Sequence, residues 1–406
     1  MSEGVTDSEQ FVYEICQKSF LFLWSYVNPR GREPAKELCD VLVVCDPHVI
    51  VISVKEVTLK DSGKGKVNWD RWQRKAVDAS IRQIKGAIRW LDQAEYVVKK
   101  DGTSGLPLPP LTRRVYHRIV VAFGGRREVP ISNRTEKREG VFHVLDEGSF
   151  YLLLRHLDTI SDFIQYLSDK EQLLSRTGVI ISGGEENLLA IYIHNGHSFP
   201  GTPDLLVIED DLWDGVASKP EFLAKLERDQ NSYLWDKCID ALARSILDSS
   251  AYFNPRLSNA ELGLREMAME DRFSRRCISR GLLEFLDLAR AKKTRSRMVL
   301  SIKRKTAYVF MAARLEDDPS SRLTELTGRC WVALDEARKY GRECRTAIGL
   351  ALGALEPGHP LELVYLSKPD WTADDQKTAG ELRENLGLFR NPERKWAHED
   401  EYPEET

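Results

Sequence analysis

The chain has 406 residues, enough for two or three domains that each bury a core. Its composition, 42% apolar and 30% charged with a net charge of −4, speaks against a disordered, collagen-like or membrane-spanning chain. Residues 1–140 carry 24 Lys/Arg against 18 Asp/Glu (+6) and the rest 35 against 45 (−10), so a mildly basic third precedes an acidic body.

In chain order, Thr6 and Glu9 have capping-box spacing, and Val12, Ile15, Ser19, Phe22, Leu23 and Tyr26 recur at helical period. That predicts a first helix over 8–27, stopped by Pro29. Two nearly continuous apolar, β-branched runs follow, Glu37–Val44 and Val49–Val57, with Cys45-Asp46-Pro47-His48 between them. They read as a hairpin of central strands covered on both faces. After the polar hook Lys60–Val67, a helix is expected over 70–98. One stripe of it carries Arg71, Arg74, Lys75, Arg82, Lys85 and Arg89, and the opposite stripe Trp72, Ala76, Val77, Ile81, Ile84, Ile88 and Leu91. Strands are expected at Val115–Phe123 and Val141–Leu145, helices over 147–170, two short strands within 178–210 and a helix-rich stretch over 220–295. The last part alternates: strand 306–314, helix 321–340, strands 346–354 and 361–367, helix 373–386, then an acidic, mobile tail. The fold class is therefore α/β, with a C-terminal α/β or α+β region.

Seven cysteines with no CxxC pair suit neither a structural zinc site nor a disulfide framework, and fit a reducing cytoplasm. The acidic, polar N-terminus does not read as a secretory signal. Lys60–Val67 lacks the glycine spacing of a phosphate-binding loop, and no GxSxG, HExxH or GxGxxG occurs in usable context. The cluster Arg272–Arg280 reads as a helix face.

The chemistry concentrates on the hairpin. Asp40 sits on its first strand, and Ser53 and Lys55 share one face of the second. A carboxylate beside a lysine suits phosphodiester hydrolysis: the carboxylate holds a divalent cation, and the lysine stabilises charge or activates water. At these residues the sequence resembles the PD-(D/E)xK, or restriction-endonuclease-like, nuclease superfamily, whose core order is α, β, β, β, α, β. The resemblance covers the N-terminal third. Asp40 matches the first acidic position and Lys55 the catalytic lysine. Ser53 stands where Asp or Glu is usual, and one strand fewer is read before the long helix. Some restriction enzymes of the superfamily resemble the Ser-x-Lys arrangement and move the acid onto the following helix, for which Asp70 or Asp78 is the candidate. The resemblance also implies a metal ligand on the first helix, here Glu14, and a polar helix residue near the site, here Gln83.

The resemblance implies a restriction-endonuclease-like mixed sheet flanked by helices over 1–145. It also implies Mg²⁺ or Mn²⁺ on Asp40 and Glu14, and a catalytic set of Lys55, Asp40 and Ser53. The partner it implies is nucleic acid, DNA by analogy, in a role such as antiviral defence. Arg71, Arg74, Arg82 and Lys85 are the candidate phosphate contacts. Residues 146–300 read as a helix-rich accessory region and 301–406 as a C-terminal domain, suited to self-association or a partner protein. No membrane partner is expected. The alternative is a non-catalytic nucleic-acid-binding protein that retains the nuclease fold.

Overall fold

In the computed structural model the Thr6–Glu9 capping box is formed and opens helix α1 (Asp7–Phe20). The structure describes residues 6–403 apart from 32–36, 61–64, 126–132, 137, 202–203, 249–254, 315–316, 354–360 and 390–397. Part of the hook Lys60–Val67 lies outside the described residues. Contacts divide the chain into two units, Met1–Phe222 and Leu223–Thr406.

Helix α1 stops seven residues before its expected end. Leu21 adopts a positive φ of 65°, which breaks the helix, and the chain turns into a short strand, β1 (Ser25–Val27). The hairpin strands are β2 (Val41–Cys45) and β3 (His48–Glu56). Helix α2 (Gly65–Leu91) starts earlier and ends earlier than expected. The residues expected at its C-terminal end form β4 (Tyr96–Val98), which pairs with β5 (Ser104–Pro107). Then come β6 (Val115–Phe123), β7 (Arg134–Glu136), β8 (Gly140–Leu145), α3 (Glu147–His156) and α4 (Ile160–Arg176). The unit closes with β9 (Gly178–Ile181), α5 (Glu185–His194), β10 (Leu205–Ile208) and α6 (Leu212–Ala217), and α7 (Pro220–Asp229) crosses the division.

The main sheet has the order β1-β2-β3-β6-β8-β7. The pairs β1/β2, β2/β3 and β7/β8 are antiparallel, while β3/β6 and β6/β8 are parallel, so α2 is the crossover between β3 and β6. Trp72, Ala76, Val77, Ile81, Ile84, Ala87 and Leu91 of α2 pack on Leu42, Val44, Val49, Val51, Val120, Ala122, Phe142 and Val144. The alternate residues Ile50, Ile52, Val54, Ile119 and Val121 are also buried, because α1 and α3 pack against β3, β6 and β8. The unbroken apolar runs therefore mark strands covered on both faces, as their sequence predicts.

The second unit contains α8 (Tyr233–Asp248), α9 (Pro255–Ala268), α10 (Arg272–Arg290), β11 (Ser296–Leu300), β12 (Thr306–Ala312), α11 (Pro319–Lys339), β13 (Thr346–Leu352), β14 (Leu361–Ser367) and α12 (Ala373–Asn385). Its sheet runs β11-β12-β13-β14, with β12 and β13 parallel. Leu326, Cys330, Ala333, Leu334 and Ala337 of α11 cover one face. On the other, Trp235 of α8 meets Tyr308 edge-on and Phe285 of α10 meets Phe310. The chain is thus α/β in both units. The boundaries expected at 145 and 300 do not coincide with this division: α3 packs on β6 and β8, and β11 pairs with β12 across residue 300.

Two expectations for the second unit are corrected. Arg272, Arg275 and Arg276 are buried rather than displayed, because Asp236 accepts from Arg272 and Arg275 at 2.9 and 2.6 Å and Asp229 from Arg276 at 3.1 Å. The described part of the acidic tail is anchored: Glu399 forms ion pairs with Arg276, 2.9 Å from its Nε, and with Arg280. Arg276 also donates to the Asp400 carbonyl at 2.8 Å. The seven cysteines form no disulfide, and among the described residues no helix is long and apolar enough to cross a membrane.

Candidate active site

The β2–β3 register pairs Val41 with Ile52, which brings Asp40 beside Ser53 and Val54. Asp40 is 2% exposed, and its Oδ2 accepts the Val54 backbone N–H at 2.6 Å. Lys55 Nζ lies 3.7 Å from the same oxygen and donates to the Val54 carbonyl at 3.0 Å. The lysine side chain keeps one-third of its surface in solvent (33%), so the pair is anchored at the acid and open at the base. By strand alternation Ser53 and Lys55 lie on the α2 face with Val49 and Val51. Ser53 Oγ donates to Gln83 Oε1 on α2 at 2.9 Å. The structure therefore brings Asp40, Ser53, Lys55 and Gln83 together.

It also adds an acid that the sequence reading passed over. The Glu37 carboxyl is hydrogen-bonded to that of Asp40. Lost solvation and then the Asp40 hydrogen bond and charge push its pKa up to about 8, with Glu9 adding repulsion and Lys55 opposing it. In a regular strand residues 37 and 40 point to opposite faces, so alternation hides this pair. The segment is not regular. Glu37 bridges to Arg30, Leu38 N–H donates to the Pro29 carbonyl, and Asn28 N–H donates to the Asp40 carbonyl. These bonds dock residues 37–40 beside the end of β1 and turn both carboxyls together.

Glu14 is corrected. It lies on the exposed face of α1, where its Oε1 accepts from Gln10 at 2.7 Å, and the α1 acid that acts on Glu37 is Glu9. Val12 and Cys16 turn inward, and the helical period carries Glu14 away from them. Glu9 itself is held by the Thr6 N–H at 3.1 Å. Asp70, a candidate acid on this helix, sits exposed within it, α2 beginning at Gly65.

Of the expected phosphate contacts, Arg71, Arg74 and Arg82 are exposed on α2. Lys85 is engaged instead, paired with Glu136 and lying 3.9 Å from Glu139. Basic residues before and within β6 are also engaged. Arg114 donates to the Leu91 and Pro109 carbonyls at 2.6 and 2.8 Å, and Arg113 pairs with Asp46 at 2.5 Å. His117 is buried, with its Nε2 3.0 Å from His48 Nδ1, and burial followed by the His48 charge drives its pKa down to about 3.

Among the described residues no group of three or more His, Cys, Asp or Glu side chains is arranged to hold a metal ion. A hydrated Mg²⁺, however, takes only one or two carboxylates from a protein and keeps several waters. Glu37 and Asp40 supply two carboxyls held together against their own repulsion, beside a solvent-reaching lysine. That donor set fits such an ion. No family model, no curated protein and no solved structure matches the chain.

Proposed function

We propose that the first unit is a metal-dependent nuclease that hydrolyses phosphodiester bonds. The observation that carries this reading is the contact between buried Asp40 and one-third-exposed Lys55, with the Glu37 carboxyl beside the same acid. With the β4–β5 pair set aside, the order α1, β1, β2, β3, α2, β6 supports the reading, since β1 supplies a strand that the sequence does not display. Asp40 and Glu37 would hold Mg²⁺ or Mn²⁺, which when bound supplies Lewis-acid polarisation and an acidic water. The Val54 N–H fixes the Asp40 carboxylate against the sheet. Lys55 neutralises charge that builds on the phosphoryl oxygens as water attacks. Arg71, Arg74 and Arg82 lie exposed on the helix over which the polyanion would run. The choice of DNA rests on the resemblance.

A second reading, binding without hydrolysis, is favoured by Ser53, whose hydroxyl is spent on Gln83 where an acid is usual. Plasmid nicking with Mg²⁺ separates the two. Hydrolysis by the wild type that Lys55→Ala lowers by about a hundredfold or more supports the enzyme, that being the scale of a removed transition-state charge partner. Tight, salt-sensitive DNA binding with no nicking supports the binder.

A further inference from the structure

Where α1, α3 and the C-terminal ends of β3 and β6 meet, the first unit has an open cleft of about 590 Å³. Its walls are aromatic. Phe11 and Tyr151 expose 38% and 45% of their surfaces, unusually much for rings that touch each other. Phe11 stacks on Tyr151 with centroids 6.2 Å apart and planes inclined by 29°. Phe123 stands edge-on to Phe11, also at 6.2 Å, with an angle of 88°. Two ring faces thus meet a third at a right angle. The remaining lining is Glu56, Glu147, Gly124 and Gly148. Both glutamates are exposed, and among the described residues no Lys, Arg or His lines the cleft and neither carboxylate has an ion pair.

We propose that this cleft binds an organic cation of the alkylammonium class, with its N-bound carbons on the Phe11 and Tyr151 rings and its charge facing Glu56 and Glu147. The chemistry selects that class. Ring faces carry negative potential and attract cations, and an ammonium placed over them also buries its methyl or methylene groups. Two carboxylates with no ion pair among the described residues repel phosphates and carboxylates and add Coulomb attraction for a positive ligand. A bare metal ion gains nothing from three aromatic rings. Gly124, with a φ of 76°, sits where a Cβ would come within 2.6 Å of the Val57 carbonyl oxygen. The position at the carboxyl ends of two parallel strands is where open α/β sheets place ligands. The inference stands apart from the nuclease reading, since none of the lining residues belongs to the Asp40–Lys55 pair.

The group occurs on free polyamines and on lysine side chains of peptides, and the test separates them. Tetramethylammonium, spermidine and a peptide bearing trimethyl-lysine are titrated into the full chain by calorimetry. Saturable binding of tetramethylammonium is expected, weakened about tenfold by Phe11→Ala or Tyr151→Ala, the scale of one cation–π contact. The double variant Glu56→Gln/Glu147→Gln should weaken it at least as much and flatten its salt dependence. Tighter binding of spermidine assigns the cleft to a free polyamine, and tighter binding of the peptide assigns it to a lysine-bearing partner. Because Phe11 and Tyr151 are surface rings, the single variants keep their circular dichroism. The proposal is overturned if none of the three probes saturates, if Phe11→Ala leaves their affinities unchanged, or if adenosine monophosphate binds here and the ammonium ions do not.

Discussion

Replacing Asp40 by alanine removes the acceptor that the buried Val54 N–H uses at 2.6 Å. An unsatisfied buried donor costs about 1–3 kcal/mol, so urea denaturation of Asp40→Ala should show a loss of that size. Asp40→Asn keeps an acceptor and loses the charge opposite Lys55, and is expected to keep most of the stability while abolishing metal-dependent nicking. His117 gives a pH signature of its own. Its folded-state pKa of about 3 lies below the ordinary 6.5, through burial and the neighbouring His48, His143 and Arg118 charges. The unfolded chain therefore takes up a proton on that ring from pH 6.5 downward, while the folded chain does so only near pH 3. The stability linked to His117 is complete above pH 6.5 and is lost as pH falls toward 3. Glu37, with its raised pKa, has the opposite sign between its ordinary value near 4.5 and about 8, so the wild-type profile alone mixes the two. Comparison with His117→Gln isolates the histidine. The stability of wild type relative to that variant should fall by about 2 kcal/mol between pH 6.5 and 5, read from paired denaturation curves.

Helix α2 joins the two parallel strands by one face and leaves Arg71, Arg74 and Arg82 exposed on the other. If those arginines track phosphates, the triple alanine variant reduces the slope of log affinity against log salt by about 3. Lys85→Ala, whose partner is Glu136, should change the slope much less. Filter binding across a salt series checks both. In the second unit, β13 presses Gly349 against α11, and a Cβ there would lie 2.7 Å from Leu326 Cγ and 2.8 Å from Cys330 Sγ. Gly349→Ala is expected to cost roughly 1–3 kcal/mol in chemical denaturation, the scale of an overpacked core. Elements with long apolar periods were legible in the sequence: β6 and β14 fall on their expected residues, and α2 shows its two stripes. The short pieces were not. Three residues of β1 cannot display a period, and the positive φ of Leu21 that frees them has no glycine to announce it. The Asp40–Lys55 contact could be read because a hairpin fixes it locally. The Glu37–Asp40 pair depends on bonds to residues 28–30 that no spacing rule encodes.

At the scale of the molecule, two units with separate cores carry different kinds of polar structure. The first combines an Asp40–Lys55 pair that is open at the lysine with buried groups such as Lys170, paired with Glu185 at 2.5 Å, whereas the second seals an arginine cluster inside α8, α10 and the C-terminal segment. Arg276, with 2% of its side chain exposed, is shared by Asp229, Glu399 and the Asp400 carbonyl. A chain ending at residue 396 loses two of those three partners and uncovers the third. Breaking a buried ion pair costs on the order of 3 kcal/mol, equivalent to about 6–12 °C for a unit of this size. Thermal denaturation of the truncated chain should show that drop in the transition of the second unit. Arg276→Met in the intact chain, which removes the buried charge together with its need for partners, should cost less than the truncation.

The strand that carries Asp40 at its head is apolar on both sides, and a slide by one residue would exchange valine for leucine at little cost in burial. The tight turn between Cys45 and His48 opposes that slide, and the clasp of one carboxylate on one amide adds to it. If the nuclease reading holds, a relative that lost the chemistry would still need the acid for the sheet, whereas its lysine neighbour would have no such task. Along such a lineage Lys55 would drift first, and Asp40 would remain as the fossil of the site.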